Sequence, residues 1–403
     1  MSIFNQKVIK YEMKPLSSLE KVFPDETPVY RMECQMLSGL WGETVSFQVA
    51  YTGDFVMRER LDVRVVSELA EHVHVRTVEM VPVGRATNGI VDDNYLKTTS
   101  GLYPDLLKEL KDGKVIVYSR QWRSLWVDVD ITNEIPAGEY EIELQLIKEG
   151  EVVCSAKQKV TVIGTELPKL DIMHTEWMHA DCLADYYHVE VFSEEHWKLL
   201  ENYFQEYVKR DCNMMLTPLF TSPLDTAIGL ERTTCQLIDV EVKDGEYVFG
   251  FEKLKRWIDL CKKCGIEYFE MSHLFSQWGA KYAPKVVATV NGKKEKIFGW
   301  HTPAVGEYTK FLESFLPQLT AKLREWEIAD VTYFHISDEP REEHLESYKA
   351  AKESLGNFAV LPSDRPYAIS SYVNTSPSDG KSFSLILDEN LATSSSTVSL
   401  VTI

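Results

Sequence analysis

From Glu43 to about Val162 apolar and polar residues alternate: Val45, Phe47, Val49 and Tyr51 fall on one face of one run, and Tyr140, Ile142, Leu144 and Leu146 on one face of another. A period of two sends successive side chains to opposite faces, so these runs predict strands with one buried and one wet face. Turn signals such as Pro136-Ala137-Gly138 separate them. Several short strands of this kind predict an antiparallel β-sandwich over residues 1–166.

Beyond Leu167-Pro168 the period changes. Apolar strand candidates at 171–177, 212–217, 265–272 and 331–337 alternate with longer amphipathic stretches, an order that implies parallel βα units. Ser193 can cap a helix with Glu194 and Glu195 in its first turn and Trp197, Leu200, Phe204 and Val208 along one face. A second helix carries Phe251, Leu254, Trp257, Ile258 and Cys261 and stops at Gly265, where a left-handed cap suits glycine. A third is predicted from about Thr302 to Trp326, with Pro317 expected to bend it. Four such units predict a partial TIM-type (β/α) barrel over 167–369, half of the eight strands that closure requires. From Ser370 to Ile403 serines crowd a weakly periodic stretch, which reads as an atypical tail.

Composition narrows the function classes. With 403 residues, 44% apolar and 26% charged, the chain is an ordinary globular one of two or three domains. A net charge of −19 and no Lys/Arg stripe exclude nucleic acid as a partner. No apolar run is long enough for a signal peptide or a membrane span. Seven cysteines without a regular framework fit reduced thiols, so a cytoplasmic protein away from membranes is expected. Cys261 and Cys264 form a CxxC with no second pair to complete a zinc site. Packing accounts for them, and neither a metal nor an organic cofactor is expected.

The candidate chemistry lies at the strand ends. Val331 to Ser337 reads as a buried strand, followed by Asp338-Glu339-Pro340 where a helix can begin. In a βα barrel the C-terminal end of a strand is the catalytic mouth, although an acidic pair alone would equally cap a helix. Its company favours catalysis. Trp177, His179 and Asp181 follow the first strand, and His273, Gln277 and Trp278 follow the third; Trp300 and His301 come later. Flat aromatic faces and planar hydrogen-bonding groups are what a sugar requires.

These segments resemble glycoside hydrolase family 123. The carriers are Thr175 to Tyr187, Asn213 to Phe220, His273 to Gly279, Phe298-Gly299-Trp300 and His335-Ile336-Ser337-Asp338-Glu339-Pro340, with Gly101 to Asp105 and Trp122 to Val127 in the first domain. The resemblance implies β-N-acetylgalactosaminidase activity on a glycan or glycoconjugate. It also implies that the substrate's own 2-acetamido oxygen attacks the anomeric carbon to form an oxazolinium intermediate, the substrate-assisted exception to the two-carboxylate scheme. Asp338 would orient the acetamide; Glu339 would protonate the leaving oxygen and later activate water. His335 joins the candidate sugar contacts through the same motif. A helix N-terminus lowers a carboxyl pKa, the wrong direction for an acid, so repulsion from Asp338 and desolvation by bound sugar must outweigh it.

Two other readings fit these residues: a carbohydrate-binding protein without turnover, and a retaining glycosidase with a carboxylate nucleophile. The resemblance runs to about Gly356. The chain is therefore expected to be truncated or substituted at its C-terminus, with unpaired edges on its first and fourth barrel strands, weak hydrolysis, and self-association through the open edge.

Overall fold

The computed structural model describes residues 10–29, 36–55, 58–87, 95–169, 172–224, 229–277 and 279–335, together with 89, 91, 226, 227, 337, 344, 346, 347, 349–351, 368 and 369. Backbone packing divides the chain into two units, Met1–Lys169 and Leu170–Ile403.

The first unit contains β1 (Lys10–Ser17), β2 (Met36–Trp41), β3 (Thr44–Asp54), β4 (Glu59–Val66), β5 (Val73–Val83), β6 (Gly101–Glu109), β7 (Lys114–Val117), β8 (Arg123–Asp130), β9 (Gly138–Lys148) and β10 (Glu151–Glu166). They form two five-stranded sheets, ordered β1-β3-β8-β5-β6 and β2-β10-β9-β4-β7. Neighbours are antiparallel except β2 and β10, which run parallel. One buried cluster takes Phe47, Val49, Tyr51, Leu125 and Val127 from the first sheet and Leu61, Ile142, Leu144, Leu146 and Val160 from the second, with Val45 and Tyr140 at its margin. The alternating residues therefore do face a core. Each large aliphatic or aromatic side chain withdrawn from water there contributes about 1.5–3 kcal/mol.

The second unit contains α1 (Ala180–Tyr187), α2 (Glu194–Val208), β11 (Met214–Thr217), β12 (Asp239–Lys243), β13 (Glu246–Gly250), α3 (Glu252–Cys264), β14 (Tyr268–Met271), β15 (Val286–Val290), β16 (Lys293–Phe298), α4 (Glu307–Glu325), β17 (Thr332–His335) and β18 (Ala368–Ile369). A half-barrel sheet, ordered β11-β14-β17-β18, is parallel throughout. Met215, Phe269, Met271 and Phe334 of this sheet share a core with Leu200 and Phe204 of α2, Trp257 and Ile258 of α3, and Phe315 and Leu319 of α4. The helix ends follow local chemistry. Ser193 accepts the His196 N–H at the start of α2, and Gly265, at φ 103°, closes α3 with its N–H on the Cys261 and Lys262 carbonyls. Cys261 is fully buried and Cys264 half-buried.

Several expectations change. Along 171–177 only Thr175 bridges Met214 among the described residues. The Asn213 side chain supplements this pairing, accepting the His174 N–H at 2.8 Å and donating to the Ile172 carbonyl at 2.8 Å, while the Asn213 and Met214 N–H groups reach the His174 carbonyl at 3.0 and 3.1 Å. The helix α1 was not anticipated. The helix expected from Thr302 begins at Glu307, because Gly306 holds φ 124°, outside helical space. Its run through Pro317 to Glu325 is the one expected. The end of β17 is not a bare edge, since Phe334 and His335 pair with Ala368 and Ile369. A second four-stranded sheet, ordered β13-β12-β15-β16, had no counterpart in the sequence reading. Residues 370–403 lie outside the described part.

Candidate functional site

Alternation in the parallel sheet gives its two faces different tasks. Phe269 and Met271 serve the helix-packed core, so Glu270 points to the opposite, concave face. It is fully buried. Its two carboxylate oxygens accept from Thr175 Oγ1 at 2.8 Å and Trp177 Nε1 at 3.0 Å. The half-exposed Trp177 ring meets the buried His273 ring edge to face, 5.2 Å between centroids and 80° between planes. Tyr268 and Tyr333 share this face, their rings 6.5 Å apart. The first and third strand ends thus bring Trp177 and His273 together over a buried acid.

The loop after β14 forms the mouth. Its Ser272 N–H reaches the Thr217 carbonyl of β11 at 2.9 Å, and its Leu274 carbonyl accepts the Tyr308 hydroxyl of α4 at 2.8 Å. Fully buried Ser337, two residues beyond β17, donates its hydroxyl to the Ser276 carbonyl at 2.7 Å. Ser347 donates to the Gly279 carbonyl at 2.6 Å. Gly279 has φ 104°, and a β-carbon there would stand 2.8 Å from the His344 side chain. So the described residues on both sides of Asp338-Glu339-Pro340 are fastened to the loop carrying His273 and Gln277. Asp338, Glu339 and Trp278 themselves lie outside the described residues, as does the His335 side chain.

The remaining candidates divide. Asp181 is spoken for by protein: Arg232 Nε and Nη2 bind its two oxygens at 2.8 and 3.1 Å, and both side chains are less than a tenth exposed. This pair ties α1 to the loop before β12. His179 is half-buried at the cap of α1, and Gln277 is half-buried beside the mouth. Trp300 packs against Tyr282 at 6.2 Å, while His301 is exposed. Trp300 also lines a small surface recess with Thr221, Ser222, Arg232 and Lys285. Below α1, the fully buried His196 donates from Nε2 to the Ala180 carbonyl at 3.0 Å and accepts the Phe192 N–H at Nδ1, 2.9 Å away. Burial lowers its pKa, against weaker upward contributions from the Ala180 carbonyl and Asp181.

Sequence reasoning missed Glu270 and Arg232. An acid set between Phe269 and Met271 in an apolar strand was the available signal for the first. Arg232 offered none, because its meaning depends on a partner 51 residues away. A second cluster was also missed: His174, Glu176 and Cys212 bring nitrogen, oxygen and sulfur donors within 4.8 Å of one another.

Comparison with known proteins gives this geometry a family. The catalytic-domain model of glycoside hydrolase 123 matches residues 177–395, more than half of the 403-residue chain. The match continues past Gly356, where the resemblance read from motifs stops. A family 123 glycoside hydrolase from Clostridium perfringens, described in connection with glycolipid glycan hydrolysis, superposes with a TM-score of 0.65 at 15% identity. The alignment covers 90% of this chain and 64% of that one, so the chain spans under two thirds of that protein's length. A β-glucosidase from Listeria innocua is far less alike (10% identity, 40% of this chain, 17% of that one, TM-score 0.19). So is the CARDB domain of a Pyrococcus furiosus protein (13%, 39%, 94%, TM-score 0.18). Neither bears on function. No curated protein matches the sequence significantly. By its catalytic-domain match and its shared fold, the chain belongs to glycoside hydrolase family 123.

Proposed function

We propose that the chain removes terminal β-linked N-acetylgalactosamine by substrate-assisted retaining hydrolysis through an oxazolinium intermediate. On this reading the first unit is a β-sandwich and the second part of a TIM-type barrel, in line with two sheets over one core and a parallel sheet backed by helices. The observation that carries the proposal is the double fastening of the β17 exit to the β14 loop, at Ser337–Ser276 and Ser347–Gly279. It supports a catalytic pair, Asp338 and Glu339, beside His273, Gln277 and the Trp177 ring. The similarity to the Clostridium perfringens enzyme makes glycolipid glycans one substrate class to try.

The acetamide oxygen attacks the anomeric carbon while Asp338 holds the acetamide N–H and stabilises the positive charge that develops. Glu339 gives its proton to the leaving oxygen. It then takes a proton from the water that opens the oxazolinium ring, so the anomeric configuration is retained. The roles separate by leaving group. Glu339→Gln should slow substrates with poor leaving groups by about 10²–10⁴-fold and activated aryl glycosides far less, because only the former need protonation. Asp338→Asn should slow both classes alike. Steady-state rates on paired aryl and natural-type glycosides check this; equal losses in Glu339→Gln remove it from the acid role, and near-normal rates in Asp338→Asn remove the orienting role.

A further inference from the structure

We propose that His174, Cys212 and Glu176 form a binding site for a thiophilic divalent cation of the zinc class, separate from the sugar site. Thr175 and Trp177 reach Glu270 on the concave face, so the intervening positions His174 and Glu176 face the other way. There they meet Cys212, in the turn between α2 and β11. His174 Nε2 stands 4.0 Å from Cys212 Sγ and 3.8 Å from a Glu176 carboxylate oxygen. Zinc bonds of about 2.0–2.3 Å in tetrahedral array place donors roughly 3.3–3.8 Å apart. The donors, all within 4.8 Å of one another, must draw together by up to roughly an ångström, which rotation of the exposed Glu176 side chain and of the Cys212 thiol can supply.

Three further features are those of a prepared site. A carbonyl only accepts, so His174 donates Nδ1–H to the Asp211 carbonyl at 3.2 Å. This fixes the tautomer that leaves the Nε2 lone pair toward the sulfur, the supporting bond typical of metal-bound histidine. The backbones that bear the ligands are held: the Tyr207 hydroxyl accepts the Glu176 N–H at 2.8 Å and donates to the Met214 carbonyl at 2.6 Å. Lastly, Cys212 is buried, and the negative side chains of Glu176 and Asp211 act on it, surroundings that favour a cation. Binding replaces the thiol proton: Cys–SH and M²⁺ give Cys–S⁻–M²⁺ and one H⁺ released to solvent. The fourth position remains for water.

His174 and Cys212 lie where the parallel strands begin, the end of a βα sheet associated with stability and not chemistry. The cation would clip the 172–176 segment to the turn that leads into β11, adding to the Thr175–Met214 bridge, the Asn213 side chain and the Tyr207 hydroxyl that already hold it. Hydrolysis is therefore not the readout.

The test titrates the full chain, reduced and metal-free, with Co²⁺. One equivalent should bind with a sulfur-to-cobalt charge-transfer band, be displaced by Zn²⁺, and raise the unfolding temperature. Affinity should rise about tenfold per pH unit as the thiol proton is displaced. Cys212→Ser should abolish the band, and Cys182→Ser, which removes an exposed thiol, should leave it intact. The exposed Glu176→Gln, which does not threaten the fold, should weaken binding by at least the roughly tenfold that loss of a mere supporting group costs. No band in the native chain, a band that survives Cys212→Ser, or unchanged affinity in Glu176→Gln would each overturn the site.

Discussion

At the scale of single residues, Asp181 decides between two roles. Its position after the first strand suggested a sugar contact, yet both its oxygens are taken by Arg232 in a buried pair. Removing one partner of such a pair strands the other charge and costs about 3–5 kcal/mol. Asp181→Asn should therefore lower the unfolding free energy read from urea denaturation by that amount; an unchanged free energy with a raised KM would return Asp181 to the sugar. His196 sets a pH dependence. One ring nitrogen donates and the other accepts, so the folded protein requires the neutral ring. Its folded pKa lies below the unfolded value of about 6.5. The sign follows: below pH ~6.5 the unfolded chain binds a proton that the folded chain does not, so stability is complete above that pH and falls as pH drops through the folded pKa. Chemical denaturation between about pH 7.5 and 5.5 (about one unit to either side of the unfolded value) should show this fall, and His196→Gln should flatten it. Superimposable profiles would contradict the assignment.

At the scale of elements, legibility depended on how local the cause is. The strands β3 and β9 and the helices α2 and α3 could be read because alternation, Ser193 and Gly265 act within one turn or strand. The hairpins β12–β13 and β15–β16 carried a readable signal that was passed over: Asp244-Gly245 and Asn291-Gly292 turn at φ 52° and 84°, and 49° and 78°, the left-handed pairs that two-residue hairpins prefer. The segment 171–177 misled because a side chain, Asn213, does part of the pairing that a ladder was expected to do. The mouth was legible only in part. Trp177 and His273 announced themselves by type, whereas Ser276 and Ser337 matter through a backbone contact that no pattern reveals. Gly279 tests the second fastening, the one to Ser347. Its left-handed φ and the nearness of His344 mean that Gly279→Ala costs about 1–2 kcal/mol in backbone strain and displaces the His344 segment. Thermal unfolding should register the loss, and kcat should fall more than KM changes, since the loop holds the exit of β17. Full stability and turnover would remove the loop from the site.

At the scale of the whole molecule, the resemblance read from motifs and the family assignment agree on the hydrolase, while the substrate rests on chemistry still to be measured. The three rival readings differ in whether turnover occurs and in what attacks the anomeric carbon. A binding protein cleaves nothing, and a carboxylate nucleophile does not need the 2-acetamido group. A substrate-supplied nucleophile brings the advantage of an intramolecular reaction, which vanishes when that group is absent. The most direct measurement compares p-nitrophenol release from the β-N-acetylgalactosaminide and the β-galactoside under identical conditions. The account predicts a kcat/KM ratio of at least about a thousandfold in favour of the acetamido sugar, a ratio that holds even where the absolute rate is low. Comparable rates on the two substrates, or sugar binding with no release from either, would contradict it.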